Sequence, residues 1–449
     1  MERALVVLLA LASTSPAAEP SESLCRAEQS ARDCAVITNN QGSRYFAEGK
    51  YREAELLFSR AISLWATETP PSDDLAKAFH NLGAVYRAEG RYADAARFYL
   101  RALDLRESLA GPADLSLLPI LNELGLVYLE MADYIQAEKI LQRAIAIVEE
   151  HQAQETTSGA DAFAAWGVAL ETACKNAEAI QWLSKALATR ERLAGRNSRP
   201  AADAINDLAL AYRQRGDLAQ AESLYRRALQ VYRQSSDAGS LVVVLNNLGR
   251  VLVEQRQYKE AEQLYREAIG VAQQQLGPAH PDVAIGLSSL AKLLIARHKF
   301  SDAEALLRRA ERMDRASFGP RNPRVGYDLN EEGSVAVGRK RYADAEALYS
   351  KSEAILEKAL PPNHPEIGKA LACLANVYRL QGRLDESEPL YRRALNILEE
   401  AWGPQNPQLL FVLQSYEAVL RERQEYAEAE SVQVRSTKIR VAQALRNSN

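Results

Sequence analysis

Cysteine, glycine, proline and aromatic residues are all scarce in this chain, and each shortage closes off a class of protein. Four cysteines in 449 residues are too few for a disulfide scaffold or a protein with several zinc sites. Gly and Pro number 22 and 17, below average usage, and 47% of the residues are hydrophobic. A collagen-like, low-complexity or largely disordered chain is thereby excluded. Neither sign of charge dominates, since 55 Lys and Arg stand against 59 Asp and Glu for a formal net charge of -4. That balance argues against nucleic-acid binding through bulk positive charge. No apolar run approaches the roughly eighteen residues that would span a membrane.

Catalytic patterns are missing too. The sequence holds no G-x-S-x-G, no Walker-type G-x-x-x-x-G-K-[ST] and no dinucleotide G-x-G-x-x-G context. Its five histidines, His80, His151, His280, His298 and His364, contain no i, i+4 pair of the kind that binds zinc. Glu53, Glu55, Glu222, Glu262 and Glu346 recur at repeated helical places, where they read as helix-start charges and solvated faces. The sequence therefore predicts no catalytic residue, no cofactor and no metal site.

The first residues are a different matter. Met1-Glu2-Arg3 leads into a nine-residue apolar run, Ala4 to Ala12, followed by small residues and Pro16 up to Ala18. A basic start, a short apolar core and a small-residue exit read as a secretory signal over residues 1–18. Nine residues span only about 14 Å as helix, against a bilayer core of roughly 30 Å. A periplasmic or secreted mature protein is expected. An oxidising compartment permits Cys25 and Cys34 to pair. On one continuous helix they would stand about 13 Å apart, so a bridge requires a break between them. Both outcomes stay open, while Cys174 and Cys373, far apart in the chain, are expected to be free thiols.

What fills the remainder is a repeat. Asn81 to Leu103 read NLGAVYRAEGRYADAARFYLRAL, and Cys373 to Leu395 read CLANVYRLQGRLDESEPLYRRAL. Taking one small residue per copy as anchor gives Gly42, Gly83, Gly125, Gly167, Ala209, Gly249, Ala291, Gly333, Ala375 and Glu417. Successive anchors lie 40 to 42 residues apart. Twelve and nineteen positions beyond each anchor stand further small residues, Ala54 and Ala61 in the first copy and Ser387 and Ala394 in the ninth. Small side chains at fixed places let two helices approach closely while larger ones fill the remaining volume. Tyr45, Tyr86, Tyr128, Tyr212 and Tyr378 are the large residues of the first helix. Phe58, Tyr99, Tyr225, Tyr265, Tyr349 and Tyr391 are those of the second. Gly49, Gly90, Gly216 and Gly382 fall between the helices, where a left-handed residue ends a helix. The aromatic residues two places later, such as Tyr51, Tyr92 and Tyr426, are expected to be core.

At these residues the chain resembles the tetratricopeptide repeat family from about Val36 onward. Its long period resembles the kinesin light chain-type subgroup. The loops Leu276-Gly277-Pro278-Ala279-His280-Pro281, Phe318 to Pro323, Leu360 to Pro365 and Trp402 to Pro407 support that likeness. The resemblance implies an all-α, right-handed superhelical solenoid of about ten helix-turn-helix repeats over residues 36–445. An N-terminal segment, 19–35, would precede it and a polar tail, 446–449, would follow. The His280 and His364 positions are shared by Asn322 and Asn406, so turn formation is the expected role there. The fourth copy, with Cys174-Lys175-Asn176 at its turn, and the eighth, with Glu332, Gly333 and Gly338, are expected to be the least regular. The last copy, with Glu417 at its anchor, reads as a cap facing water.

The resemblance also implies what the array does. First helices of stacked repeats line a concave groove, and on the family's pattern the residues around the anchor and four beyond it face that groove. Here they include Asn39, Asn40, His80, Asn81, Arg87, Asn122, Asn206, Arg213, Asn246, Asn247, Arg250, Lys292, Asn330, Asn376, Arg379 and Arg421. A ladder of Asn can hold an extended peptide by its backbone, and Arg and Lys favour acidic side chains or a terminal carboxylate. The expected function is a non-catalytic scaffold for protein or peptide partners. Assembly of the chain with copies of itself is the alternative.

Overall fold

The computed structural model describes residues 30–67, 70–173 and 175–448, the last five by backbone alone. The signal-like segment, Cys25 and Cys174 lie outside the described residues. Twenty α-helices follow one another in antiparallel pairs, and among the described residues no strand occurs. The first three pairs are α1 (Ala31–Ala47) with α2 (Tyr51–Trp65), α3 (Asp73–Ala88) with α4 (Tyr92–Ala110), and α5 (Leu118–Glu130) with α6 (Tyr134–Glu150). Then come α7 (Thr157–Thr172) with α8 (Asn176–Ala194), and α9 (Arg199–Arg215) with α10 (Leu218–Arg233). The sixth and seventh are α11 (Ala238–Glu254) with α12 (Tyr258–Val271) and α13 (Pro281–Ala296) with α14 (Phe300–Phe318). The last three are α15 (Pro323–Gly338) with α16 (Tyr342–Ala359), α17 (Pro365–Leu380) with α18 (Leu384–Trp402), and α19 (Leu410–Glu422) with α20 (Tyr426–Ser448).

The anchors set how closely each pair approaches. A Cβ added to Gly83 would lie 2.9 Å from the Tyr99 ring, and one added to Gly249 would lie 2.6 Å from Tyr265. Gly42 meets Phe58, Gly125 meets Leu141, Gly167 meets Leu183 and Gly333 meets Tyr349 in the same way. Each of these glycine anchors thus receives the side chain sixteen positions later. The small residues further on are all sealed: every one of the ten at the twelfth position, from Ala54 to Ala429, has no exposed surface. Where serine replaces alanine, its hydroxyl finds a carbonyl. Ser387 donates to Ala375 O at 2.7 Å and Ser352 to Gly326 O at 2.7 Å, so neither adds an unpaired polar group to the core.

The eighth repeat is regular, against expectation. Its glycines read as helix-breaking from propensity alone, yet Gly333 accommodates the Tyr349 ring and Gly338 the Phe300 ring of the preceding repeat. Packing decides there, not propensity. The departures from α-helix lie elsewhere: a π-turn at Ala272–Leu276 and 3-10 starts at Leu115–Leu117 and Pro407–Leu409. Tyr426 is 61% exposed rather than core.

A left-handed residue ends the first helix of nine repeats. Four of these are the glycines named above; the others are Ala132, Arg256, His298, Lys340 and Gln424. Left-handed backbone costs an L-residue about 1–2 kcal/mol, partly offset because glycine loses about 0.5–1 kcal/mol more chain entropy on folding. The exposed Arg256, at φ 63, is therefore expected to gain up to about 1 kcal/mol as Arg256→Gly. A urea midpoint shifted upward at unchanged slope checks this.

First helices touch from one repeat to the next, α5 with α7 and α11 with α13 among them, while second helices make no comparable contact. The first helices therefore crowd the inside of the curve and line its concave wall. The curvature brings distant repeats together. Asn322, heading the eighth repeat, donates to the Glu89 carbonyl in the second, and His364 Nε2 lies 3.0 Å from Glu130 O in the third. One superhelical turn thus takes about six repeats, and the next turn rests on it.

Candidate functional site

The groove wall is built from rungs that join neighbouring first helices. Asn81 Nδ2 donates to Asn39 Oδ1 at 3.1 Å, and Asn247 Nδ2 to Asn206 Oδ1 at 3.0 Å. Arg250 adds a contact to Asn247 at 3.3 Å. Charged rungs follow the same spacing. Arg87 meets Glu130 at 2.9 Å and Glu123 at 2.7 Å, Arg213 meets Glu254 at 2.7 Å, and Arg379 meets Glu422 at 3.0 Å. Lys292 reaches Glu331 at 3.0 Å. Each pair is about one repeat apart in sequence, because stacking brings equivalent positions of successive first helices side by side.

Other expected groove residues sit differently. Asn122 and Asn246 are buried, and Asn246 Nδ2 donates to Val242 O at 2.9 Å. Each keeps a buried Oδ1 without a partner, as does Asn330. His80 lies against the Tyr99 ring at 5.2 Å, and burial pulls its pKa down. Asn376 accepts from Arg379 at 3.2 Å within its own helix, and Arg421 pairs with Glu417 at 2.9 Å. Asn39, not its neighbour Asn40, carries the rung to Asn81.

Sequence reasoning missed the carboxylates. Glu130, Glu254 and Glu422 occupy the position five beyond the anchor, one repeat after Arg87, Arg213 and Arg379 at four beyond. That alternation was the available sign, and it neutralises the cations that seemed free from sequence. Reasoning also missed an acidic hollow of about 370 Å³ between the fifth, sixth and seventh repeats. Asp203, Asp207, Asp237 and Asp282 line it with Asn206 and Tyr232. The Tyr232 hydroxyl donates to Asp203, and burial pushes Asp207 up to about 6. Among the described residues, no group of three or more His, Cys, Asp or Glu could hold a metal ion, and no helix is long and apolar enough to cross a membrane.

Burial raises three further carboxylates of the first helices, Glu171, Asp328 and Glu332, each to about 7. Asp328 accepts from Ser288 at 2.9 Å, but its other oxygen is buried without a partner. The folded chain therefore holds these protons more tightly than the unfolded chain, whose carboxylates titrate near 4. Their contribution to stability is present below that range and is lost as pH rises through 6 to 7. Thermal stability is expected to rise as pH falls from 8 to 6.5, and Asp328→Asn is expected to flatten that rise. Calorimetric Tm across this window tests both.

Comparison with known proteins fits this architecture. A family model described as tetratricopeptide repeat matches residues 33–108, 74–150, 160–234, 240–316 and 366–440, together well over half of the chain. Among solved structures, BtubC (BKLC) from P. vanneervenii is similar at 22% identity and a TM-score of 0.43, over 49% of this chain and 89% of that one. Nearly identical TPR-like repeats described for a kinesin light chain of Podosopora anserina are similar at 19% identity and a TM-score of 0.37. That match covers 44% of this chain and 94% of the other. No curated protein matches significantly.

Proposed function

This chain belongs to the tetratricopeptide repeat family, and on that premise we propose an exported, non-catalytic scaffold that binds protein or extended-peptide partners in its groove. The observation that carries the reading is the ladder of polar rungs at one-repeat intervals on the concave wall. An extended peptide needs donors and acceptors at regular intervals for its backbone groups, and amide side chains supply both. The ion-pair rungs add charge. Only Nη1 of Arg213 engages Glu254, so a partner carboxylate can take the remaining donors of the guanidinium and add a charge-assisted bond without breaking that pair. Export is supported by the N-terminal pattern of a basic start, a short apolar core and a small-residue exit.

Two measurements test the proposal. Mass analysis of the natively expressed protein is expected to place the mature N-terminus near Ala18 or Glu19; an intact Met1 in the cytoplasmic fraction would sink export. For the groove, a partner recovered from periplasmic extract is titrated against Arg213→Ala/Asn247→Ala. Losing a charge-assisted hydrogen bond costs about 1.5–3 kcal/mol, so affinity is expected to fall roughly ten- to a hundredfold. Arg226→Ala, on the second helix where it pairs with Glu222 and Glu260, is expected to change affinity little. Unchanged affinity in a folded double variant moves the partner off this part of the wall.

A further inference from the structure

The loops that head the later repeats carry side chains with two working ends. In His280 and His364, Nδ1 accepts from the backbone N–H of Asp282 and Glu366, each at 3.2 Å, and so caps the following helix. Asn322 Oδ1 does the same for Arg324 at 2.8 Å. The other end faces a different superhelical turn. Asn322 Nδ2 donates to Glu89 O and His364 Nε2 pairs with Glu130 O. These are carbonyls at first-helix C-termini, which have no partner within their own helix. The His280 ring lies against the first repeat: a Cβ at Gly49 would stand 3.0 Å from its Nε2.

Three features mark the seam. Among the described residues the loops heading the second to sixth repeats meet no turn six repeats earlier, and their cap positions hold Ser72, Asp114, Thr156, Ser198 and Asp237. A carboxylate accepts but cannot donate, and a hydroxyl is too short to span both ends. The turn glycines divide in the same way. Gly49 and Gly90 are pressed by Pro281 and Pro323, whereas Gly216 and Gly382 have nothing near their open side. Aromatic contacts complete the seam, with Tyr51 stacked on Phe318 at 5.6 Å and Tyr92 packed against the core of the last repeats.

The geometry points to a latch: His280, Asn322 and His364 hold the seventh to ninth repeats on the first three, keeping the superhelix closed, and acid releases the two imidazoles. Burial pulls the pKa of both histidines down, so the closed form binds protons less readily than an open form with solvated imidazoles. By linkage, protons then favour opening. Protonation turns the Nδ1 acceptor into a donor facing the backbone N–H of Asp282 or Glu366 and sets a positive charge at a helix N-terminus, so the ring is driven from its seat, and at His364 the Nε2–H bond to Glu130 O goes with it. The groups around His280 are Asp282, Asp237 at the head of α11, Arg324 from α15, and Tyr51 of the docked turn, whose Gly49 the ring lies against. Around His364 are Glu366 and Lys369 of its own helix and Glu130 across the seam, whose carboxylate is held by Arg87. The charges largely offset one another at each imidazole, leaving burial dominant.

Two variants of the full chain separate the parts. Aspartate caps a helix as well as asparagine but has no donor, so His280→Asp/Asn322→Asp/His364→Asp removes the latch and spares the caps. Asparagine keeps both ends and does not titrate, so His280→Asn/His364→Asn keeps the latch and removes the acid response. Small-angle X-ray scattering at pH 7.5 and pH 5.5 reads the radius of gyration, with circular dichroism confirming folded helices. The native chain is expected to be compact at the higher pH and expanded at the lower. The aspartate variant is expected to be expanded at both, and the asparagine variant compact at both. A folded aspartate variant as compact as the native chain overturns the latch. An asparagine variant that expands in acid like the native chain overturns the role of the imidazoles.

Discussion

Tyr225→Ala is expected to destabilise the array by about 3–5 kcal/mol, whereas Tyr225→Phe is expected to be close to neutral. The ring has no exposed surface and stands sixteen residues after the Ala209 anchor, the spacing at which Gly83 meets Tyr99 and Gly249 meets Tyr265. Truncation leaves a cavity between α9 and α10 that two helices held by neighbours on both sides cannot collapse to fill. The hydroxyl contributes nothing comparable, because it is buried without a hydrogen-bond partner. Removing an unsatisfied polar group relieves a desolvation penalty rather than losing a bond. Equilibrium urea unfolding measures both. Because repeats stabilise mainly their neighbours, the alanine variant is also expected to split the transition, with the fifth repeat opening first in hydrogen exchange. A phenylalanine variant as damaged as the alanine one would mean that the hydroxyl holds a water that matters.

The anchor-to-ring spacing explains why the repeat could be read from sequence. Gly83 and Tyr99, or Gly249 and Tyr265, are close in the chain and meet within one helical pair, so the pattern and the contact share one length scale. The charged rungs were only half readable. Arg87 stands out in a helix, but its partner Glu130 belongs to the next repeat and becomes visible only when successive copies are laid side by side. The seam between superhelical turns could not be read at all. His364 and Glu130 lie 234 positions apart, and which repeats meet depends on the pitch, a sum of small rotations that no single repeat encodes. From sequence, His280 and Asn322 therefore showed only their local role as turn residues, one of their two ends. The glycines of the eighth repeat were misjudged for a related reason: propensity is a local quantity, and the rings of Tyr349 and Phe300 that need the space come from other helices.

The second large effect is expected at Arg324, which joins the core of the eighth repeat to the seam. Asp314 is 3% exposed and receives two hydrogen bonds from Arg324, Nε at 2.9 Å and Nη2 at 3.2 Å. The guanidinium also lies 4.9 Å from the Phe318 ring that stacks on Tyr51. Arg324→Met strands a buried carboxylate, and breaking a buried pair from one side costs about 3–5 kcal/mol. Burial already pushes Asp314 upward despite its partner; without the arginine it rises further and the variant protonates it to fold. The loss is therefore expected to be greatest at pH 8 and to shrink as pH falls, the sign for a carboxylate whose folded pKa exceeds its unfolded one. Asp314→Leu/Arg324→Met removes both charges, and replacing a buried pair with apolar residues is often close to neutral. The double variant is expected to recover most of the loss and to show no pH dependence of the difference. Urea midpoints for the four members of this cycle at pH 8 and pH 6 decide the matter. A single Arg324→Met variant as stable as the native chain at pH 8 would show that the Asp314 carboxylate is solvated in solution and that the pair holds nothing together.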